Sequence, residues 1–93
     1  MFFALIYQLA DDYLERRAPL RDEHLDLARE AAERGELMLA GAFAEPTDRA
    51  LLVWSTQDDA PIRAFVEADP YVANGLVTSW EIRPWTVVVG SAA

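Results

Sequence analysis

His24 is the only histidine in the chain, and the search for chemistry starts there. Imidazole ordinarily ionises near neutral pH, so a positioned histidine can take or give a proton within a reaction. The plainer role is a partly buried histidine hydrogen-bonded to backbone, because histidine is intermediate in burial and commonly structural. Arg17 and Arg21 stand seven and three residues before it. The three share a face if one helix extends back past Pro19. There the arginines are either solvated partners of surface acids, which contribute little, or a cationic wall that holds an anionic or phenolic ligand. Asp69 precedes Pro70, which pushes it out of the α region, so it is most simply a helix N-cap. A carboxylate that reached His24 would instead fix the ring tautomer and free the other nitrogen to accept a proton.

Other chemistries find little support. With no cysteine there is no disulfide, thiolate nucleophile or thiolate-bound metal. One histidine leaves zinc to carboxylates, an uncommon ligand set, so no metal site is expected. The four glycines are scattered and form no phosphate loop, and no other cofactor motif is present. None of the serines lies in a G-x-S-x-G elbow. Trp54, Trp80 and Trp85 read as core or interface anchors rather than stacking platforms.

The elements that would position these groups follow from periodicity. Phe2 to Leu9 is an apolar run of strand length ending at Asp11-Asp12, either of which can cap a short helical turn through Arg17. Pro19 suits the first turn of a longer helix to about Arg34, with Gly35 just past its end. Leu20, His24, Leu27, Ala28 and Ala31 form its inward stripe. Leu37 to Phe43 is a second strand, where Gly41 suggests a bulge or a close backbone approach. A loop at 45–48 leads to a third strand from Ala50 to Thr56. Asp58 or Asp59 caps a second helix with Pro61 in its first turn and a core face of Ile62, Phe65 and Val66. Asp69 to Gly75 is a capped turn. Leu76 to about Trp85 is the last strand, with Leu76, Thr78, Trp80 and Ile82 alternating against Val77, Ser79, Glu81 and Arg83. Pro84 belongs at an edge, and Thr86 to Val89 suits a tail strand leaning on another subunit.

This order is β-α-β-β-α-β, the split βαβ pattern of a ferredoxin-like α+β fold: an antiparallel sheet with two helices on one face. Ninety-three residues make a single domain, 1–93, with one core. The hydrophobic fraction of 53% is high for such a chain, and the bare sheet face must be covered. A second copy of the chain is the expected cover. The net charge of −8, with all eight bases arginine, repels phosphate backbones, so nucleic acid is not an expected partner. No basic amphipathic face or bilayer-length run suits a membrane. The N-terminus lacks a charged signal region, making the cytoplasm the expected location.

Taken together, several segments resemble the YciI-like (YCII-related) family. They are Arg17-x-x-x-Arg21-x-x-His24-Leu25, Leu39-Ala40-Gly41, Ala68-Asp69-Pro70-Tyr71-Val72, Gly75-Leu76-Val77 and Glu81-Ile82-Arg83-Pro84-Trp85. Each piece is weak; the ordered set spans nearly the whole chain. The resemblance implies a ferredoxin-like dimer with sheets face to face, a dimeric α+β barrel. It also implies a His24–Asp69 pair, with Arg17, Arg21 and Tyr71 as substrate-binding neighbours. Most members have no known reaction, but certain relatives act in dehydrochlorination of a chlorinated hydroxyhydroquinone, a lyase-type step. Where the family often has A-G-P, Gly41 is followed here by Ala42-Phe43, and the bulk of Phe43 is expected to reshape the pocket.

Two functions remain open on the sequence. One is a small cofactor-independent lyase or isomerase acting on a cyclic or aromatic metabolite. The other is a non-catalytic dimeric module that binds a small ligand or a partner protein. A ligand-sized cleft at His24 separates them.

Overall fold

The computed structural model describes residues 1–90. Its elements run β1 (Phe2–Leu9), α1 (Tyr13–Arg16), α2 (Ala18–Glu33), β2 (Leu37–Ala42), β3 (Arg49–Ser55), α3 (Ala60–Ala68), α4 (Pro70–Ala73) and β4 (Val77–Trp85). The strands form one antiparallel sheet in the order β2-β3-β1-β4. This is the ferredoxin-like α+β fold expected from the element order.

β1 is central, and its two faces differ in burial although both are largely apolar. Phe3, Leu5, Tyr7 and Leu9 are buried and join Ala31 of α2 and Ile62, Phe65 and Val66 of α3 in one core. Trp54 of β3 lies at the centre of that core, fully buried, with Phe65 edge-on at 5.2 Å. α3 seats all three residues of its apolar face. α2 is held more loosely: only Ala31 is fully buried, and Leu20, Leu27 and Ala28 are half-buried.

Both ends of the connections that frame the site are set by glycine. Gly35 and Gly75 each adopt φ +78°, a left-handed conformation that costs other residues free energy. After α2, Glu36 N–H donates to Ala31 O and Gly35 N–H to Ala32 O; after α4, Leu76 N–H donates to Tyr71 O and Gly75 N–H to Val72 O. This paired pattern satisfies the last helical carbonyls and turns the chain into the next strand.

Several local expectations differ from the structure. The irregularity in β2 falls between Leu37 and Leu39, not at Gly41, and a Cβ at Gly41 would meet nothing within 4 Å. The alternation of β4 is interrupted by a bulge opposite Gln8 and Leu9: Val77 pairs with Leu9 while Trp80 pairs with Tyr7. The extra residue switches parity, so Val77 rather than Thr78 is buried. Asp12 and Asp59 make no capping bond, whereas Asp58, the other acid expected before α3, accepts at Oδ1 from Ala60 N–H at 3.0 Å. Thr86 to Val89 form no strand. Val87 and Val89 instead border a hollow with Phe2, Met38, Leu39 and Val53 of the same chain. Trp54 is a core anchor, but Trp80 and Trp85 are substantially exposed.

Candidate active site

The site is built on Asp69, which both ends α3 and starts α4. The proline after it holds Asp69 in an extended conformation (φ −71°, ψ 117°). Its carboxylate turns inward, fully buried. Oδ1 accepts from Tyr71 N–H at 3.0 Å, the helix-capping bond, and lies 2.8 Å from His24 Nδ1; Oδ2 accepts from the Tyr7 hydroxyl at 2.8 Å. A buried carboxylate requires such partners. With an ionised carboxylate, which only accepts, and a neutral imidazole, the His24 proton sits on Nδ1 and the lone pair on Nε2.

His24 arrives on α2 with its side chain 15% exposed. Its ring stacks on Tyr71 at 3.9 Å between centroids with 11° between planes, and Phe65 meets it edge-on at 6.3 Å. Among the described residues, no group hydrogen-bonds Nε2. Two of the imidazole's degrees of freedom, tilt and rotation, are thereby restricted by an aromatic face and a carboxylate.

Beside this ring is a cleft of about 180 Å³. One wall is α2 and the residue before it, through Arg17, Arg21, His24, Leu25 and Ala28; the floor is Tyr7, Leu9 and Leu52; the far side is Ala40, Gly41, Ala42 and Ala50. The cleft exists because small residues line the region between α2 and the β2–β3 edge, where larger ones would fill the gap. Tyr13 and Tyr71 complete it, with rings 5.6 Å apart and edge-on.

Among the described residues, Arg17, Arg21, Arg49 and Arg83 make no ion pair, and the cleft holds two of these four. Acidic residues outnumber bases by 16 to 8, yet among the described residues neither Arg17 nor Arg21 pairs with a carboxylate, whereas Arg16, Arg29, Arg34 and Arg63 do. The Arg17 guanidinium instead lies over the Tyr13 ring at 5.6 Å. The arginines are four residues apart at the start of α2, where like charges repel and the helix dipole disfavours cations. Burial pushes the Tyr71 phenol up to about 12, aided by Tyr13 and opposed by Arg17 and Arg21. Burial, then the Asp69 charge and hydrogen bond, raises the Tyr7 phenol further still.

All five residues singled out in the sequence thus meet at one place: His24, Arg17, Arg21 and Tyr71 line the cleft, and Asp69 lies behind the ring. Tyr71 supports the imidazole as well as bordering the cleft. Phe43 is not part of the lining; it is half-exposed, because β2 ends at Ala42 and its own backbone pairs with Arg49. Tyr7 and Tyr13 were not foreseen. The available signal was a tyrosine within an apolar strand, since a buried phenol needs a hydrogen-bond partner.

An antiparallel four-stranded sheet carrying a cleft between its helical layer and one edge defines a ferredoxin-like α+β protein. The YCII-related domain matches residues 1–86, and the chain belongs to that family. No protein of curated function matched it by sequence. Among solved structures it is similar to 5-chloro-2-hydroxyhydroquinone dehydrochlorinase from Burkholderia phenoliruptrix AC1100, in complex with 2,5-dihydroxybenzoquinone. The TM-score is 0.76 at 17% identity, covering 92% of this chain and 94% of that one. It is also similar to protein Atu4242 from Agrobacterium tumefaciens, with a TM-score of 0.54 at 17% identity and 89% of each chain covered. At such identities the likeness is one of fold.

Proposed function

We propose that this chain is a small cofactor-independent enzyme of lyase or isomerase type, acting on a cyclic or aromatic metabolite with an acidic hydroxyl or carbon. His24 Nε2 takes the proton. Asp69 holds the ring in the required tautomer and stabilises the imidazolium that forms. Arg17 and Arg21 hold the substrate oxyanion as charge develops, and Tyr71 supports the imidazole and borders the bound ring. The abstracted proton is then lost with a leaving group or returned at another position of the ring.

The observation that carries this reading is the cleft itself, which brings an imidazole with an uncommitted nitrogen together with two arginines lacking acidic partners. A role confined to holding the fold requires neither the space nor the unpaired cations. The similarity to a dehydrochlorinase supports the choice of ring chemistry. The chain would work as a homodimer in the cytoplasm, with the outer sheet faces in contact.

The stacking of His24 on Tyr71 favours a second reading, a dimeric binding module in which the pair only fixes the fold. Incubation with 5-chloro-2-hydroxyhydroquinone separates the two, with 2,5-dihydroxybenzoquinone as a binding probe. The enzyme reading expects chloride release by the protein and its loss in His24→Gln. Binding of the probe without turnover of this or other hydroxylated rings would favour the module.

A further inference from the structure

We infer that Tyr7 is a positioning residue for the His24–Asp69 pair, its hydroxyl pinning Asp69 Oδ2 so that Oδ1 meets the imidazole in one orientation. The inference deepens the proton-transfer reading above and rests on it. The two other donors, Tyr71 N–H and His24 Nδ1–H, both converge on Oδ1. Among the described residues, Oδ2 has only the Tyr7 hydroxyl. The carboxylate torsion of aspartate is intrinsically broad, so two donors on one oxygen leave the plane of the group poorly determined. A third donor on the other oxygen fixes it.

The origin of that donor matters. Tyr7 belongs to the central strand, paired on both sides, with Ala50 and Trp80 opposite it. Asp69 sits at a junction between two helices, and His24 rides on a helix with one fully buried residue. The hydroxyl therefore references the pair to the most constrained element of the fold. Packing alone does not call for it: the other inward positions of β1 are Phe3, Leu5 and Leu9. The raised phenol ionisation keeps this group a neutral donor throughout the pH range of the chemistry.

Ring-nitrogen NMR of the single histidine tests the inference without any assay of turnover. In the unaltered protein, the Nδ1-protonated form should dominate the neutral state. Asp69→Asn should displace both ring-nitrogen shifts, and Tyr7→Phe should displace them in the same direction while melting cooperatively. Ring shifts in Tyr7→Phe that coincide with the unaltered protein, when Asp69→Asn moves them, would overturn the positioning role and leave the base reading standing. Immobile shifts in both variants would overturn both. A displaced ring in Tyr7→Phe with no turnover on any hydroxylated ring would retain Tyr7 as a positioning group and remove only the catalytic reading. Should Tyr7→Phe fail to fold, the Tyr7 Cζ shift of the unaltered protein decides: it should step as His24 titrates, and a flat trace refutes the coupling.

Discussion

Asp69 supports two functions with one carboxylate, capping α4 and meeting His24, and its substitutions should separate them. Asp69→Ala leaves the Tyr7 hydroxyl and Tyr71 N–H buried without acceptors. At about 1–3 kcal/mol for each unsatisfied group, the loss should be a substantial fraction of a small domain's stability, read by denaturant unfolding. His24→Gln should fold with near-normal stability and lower kcat on an accepted substrate by about 10²–10⁴-fold, the range of general acid–base catalysis. The phenols predict alkaline behaviour. Tyr7 and Tyr71 are raised in the folded state from an ordinary value of 10.0, Tyr71 to about 12. The folded chain therefore holds protons that the unfolded chain releases. Both contributions are full below pH 10; that of Tyr71 is lost as pH rises through 12, while that of Tyr7, raised further, goes on falling beyond it. Denaturant midpoints measured along that range should fall, and Tyr7→Phe should flatten the fall. Asp69 was legible as a helix cap because Asp-Pro is a local signal, but its pairing with His24 followed only from the family resemblance. Its partner Tyr7 is 62 residues away in sequence, and no local pattern encodes that meeting.

At the scale of elements, α2 carries a conflict. Its first turn contains no acidic residue, and Arg17 and Arg21 oppose both the helix dipole and each other. Arg21→Gln should therefore raise stability by about 0.3–1 kcal/mol at low salt. It should also weaken binding of 2,5-dihydroxybenzoquinone, measured by calorimetry. A variant that lost stability and bound equally well would remove the arginines from the site. The helices and the central strand were readable from spacing and from their proline and glycine boundaries. The parity of β4 was not, because the bulge opposite Gln8 and Leu9 depends on pairing with a distant strand. Nor does the sequence of β1 alone say which of its two apolar faces meets the helices.

For the molecule as a whole, the outer sheet face is the outstanding exposed apolar surface among the described residues. Ala4, Ile6, Leu51, Pro84 and Trp85 border one hollow on it, and Leu39 stands 72% exposed nearby. A second copy seated there should bury more than about 1,200 Å² in total. Sedimentation at micromolar concentration should report a dimer, and Leu51→Asp should yield a monomer with unchanged far-ultraviolet dichroism. A wild-type chain that sediments only as a monomer would rule out the sheet-to-sheet assembly.

The wall of alanines and glycine across the cleft also bears on how such a protein diversifies. Ala40 and Ala42 are exposed and pair with Leu52 and Ala50 on the cleft side of the sheet, so exchanges there carry little penalty in folding. Asp69, bound by three separate segments, has no such latitude. Substitutions at Ala40 and Ala42 could thus redraw the cleft along β2 while leaving His24 and Asp69 untouched. The shape of the cleft can therefore vary without disturbing the hydrogen bonds that hold Asp69.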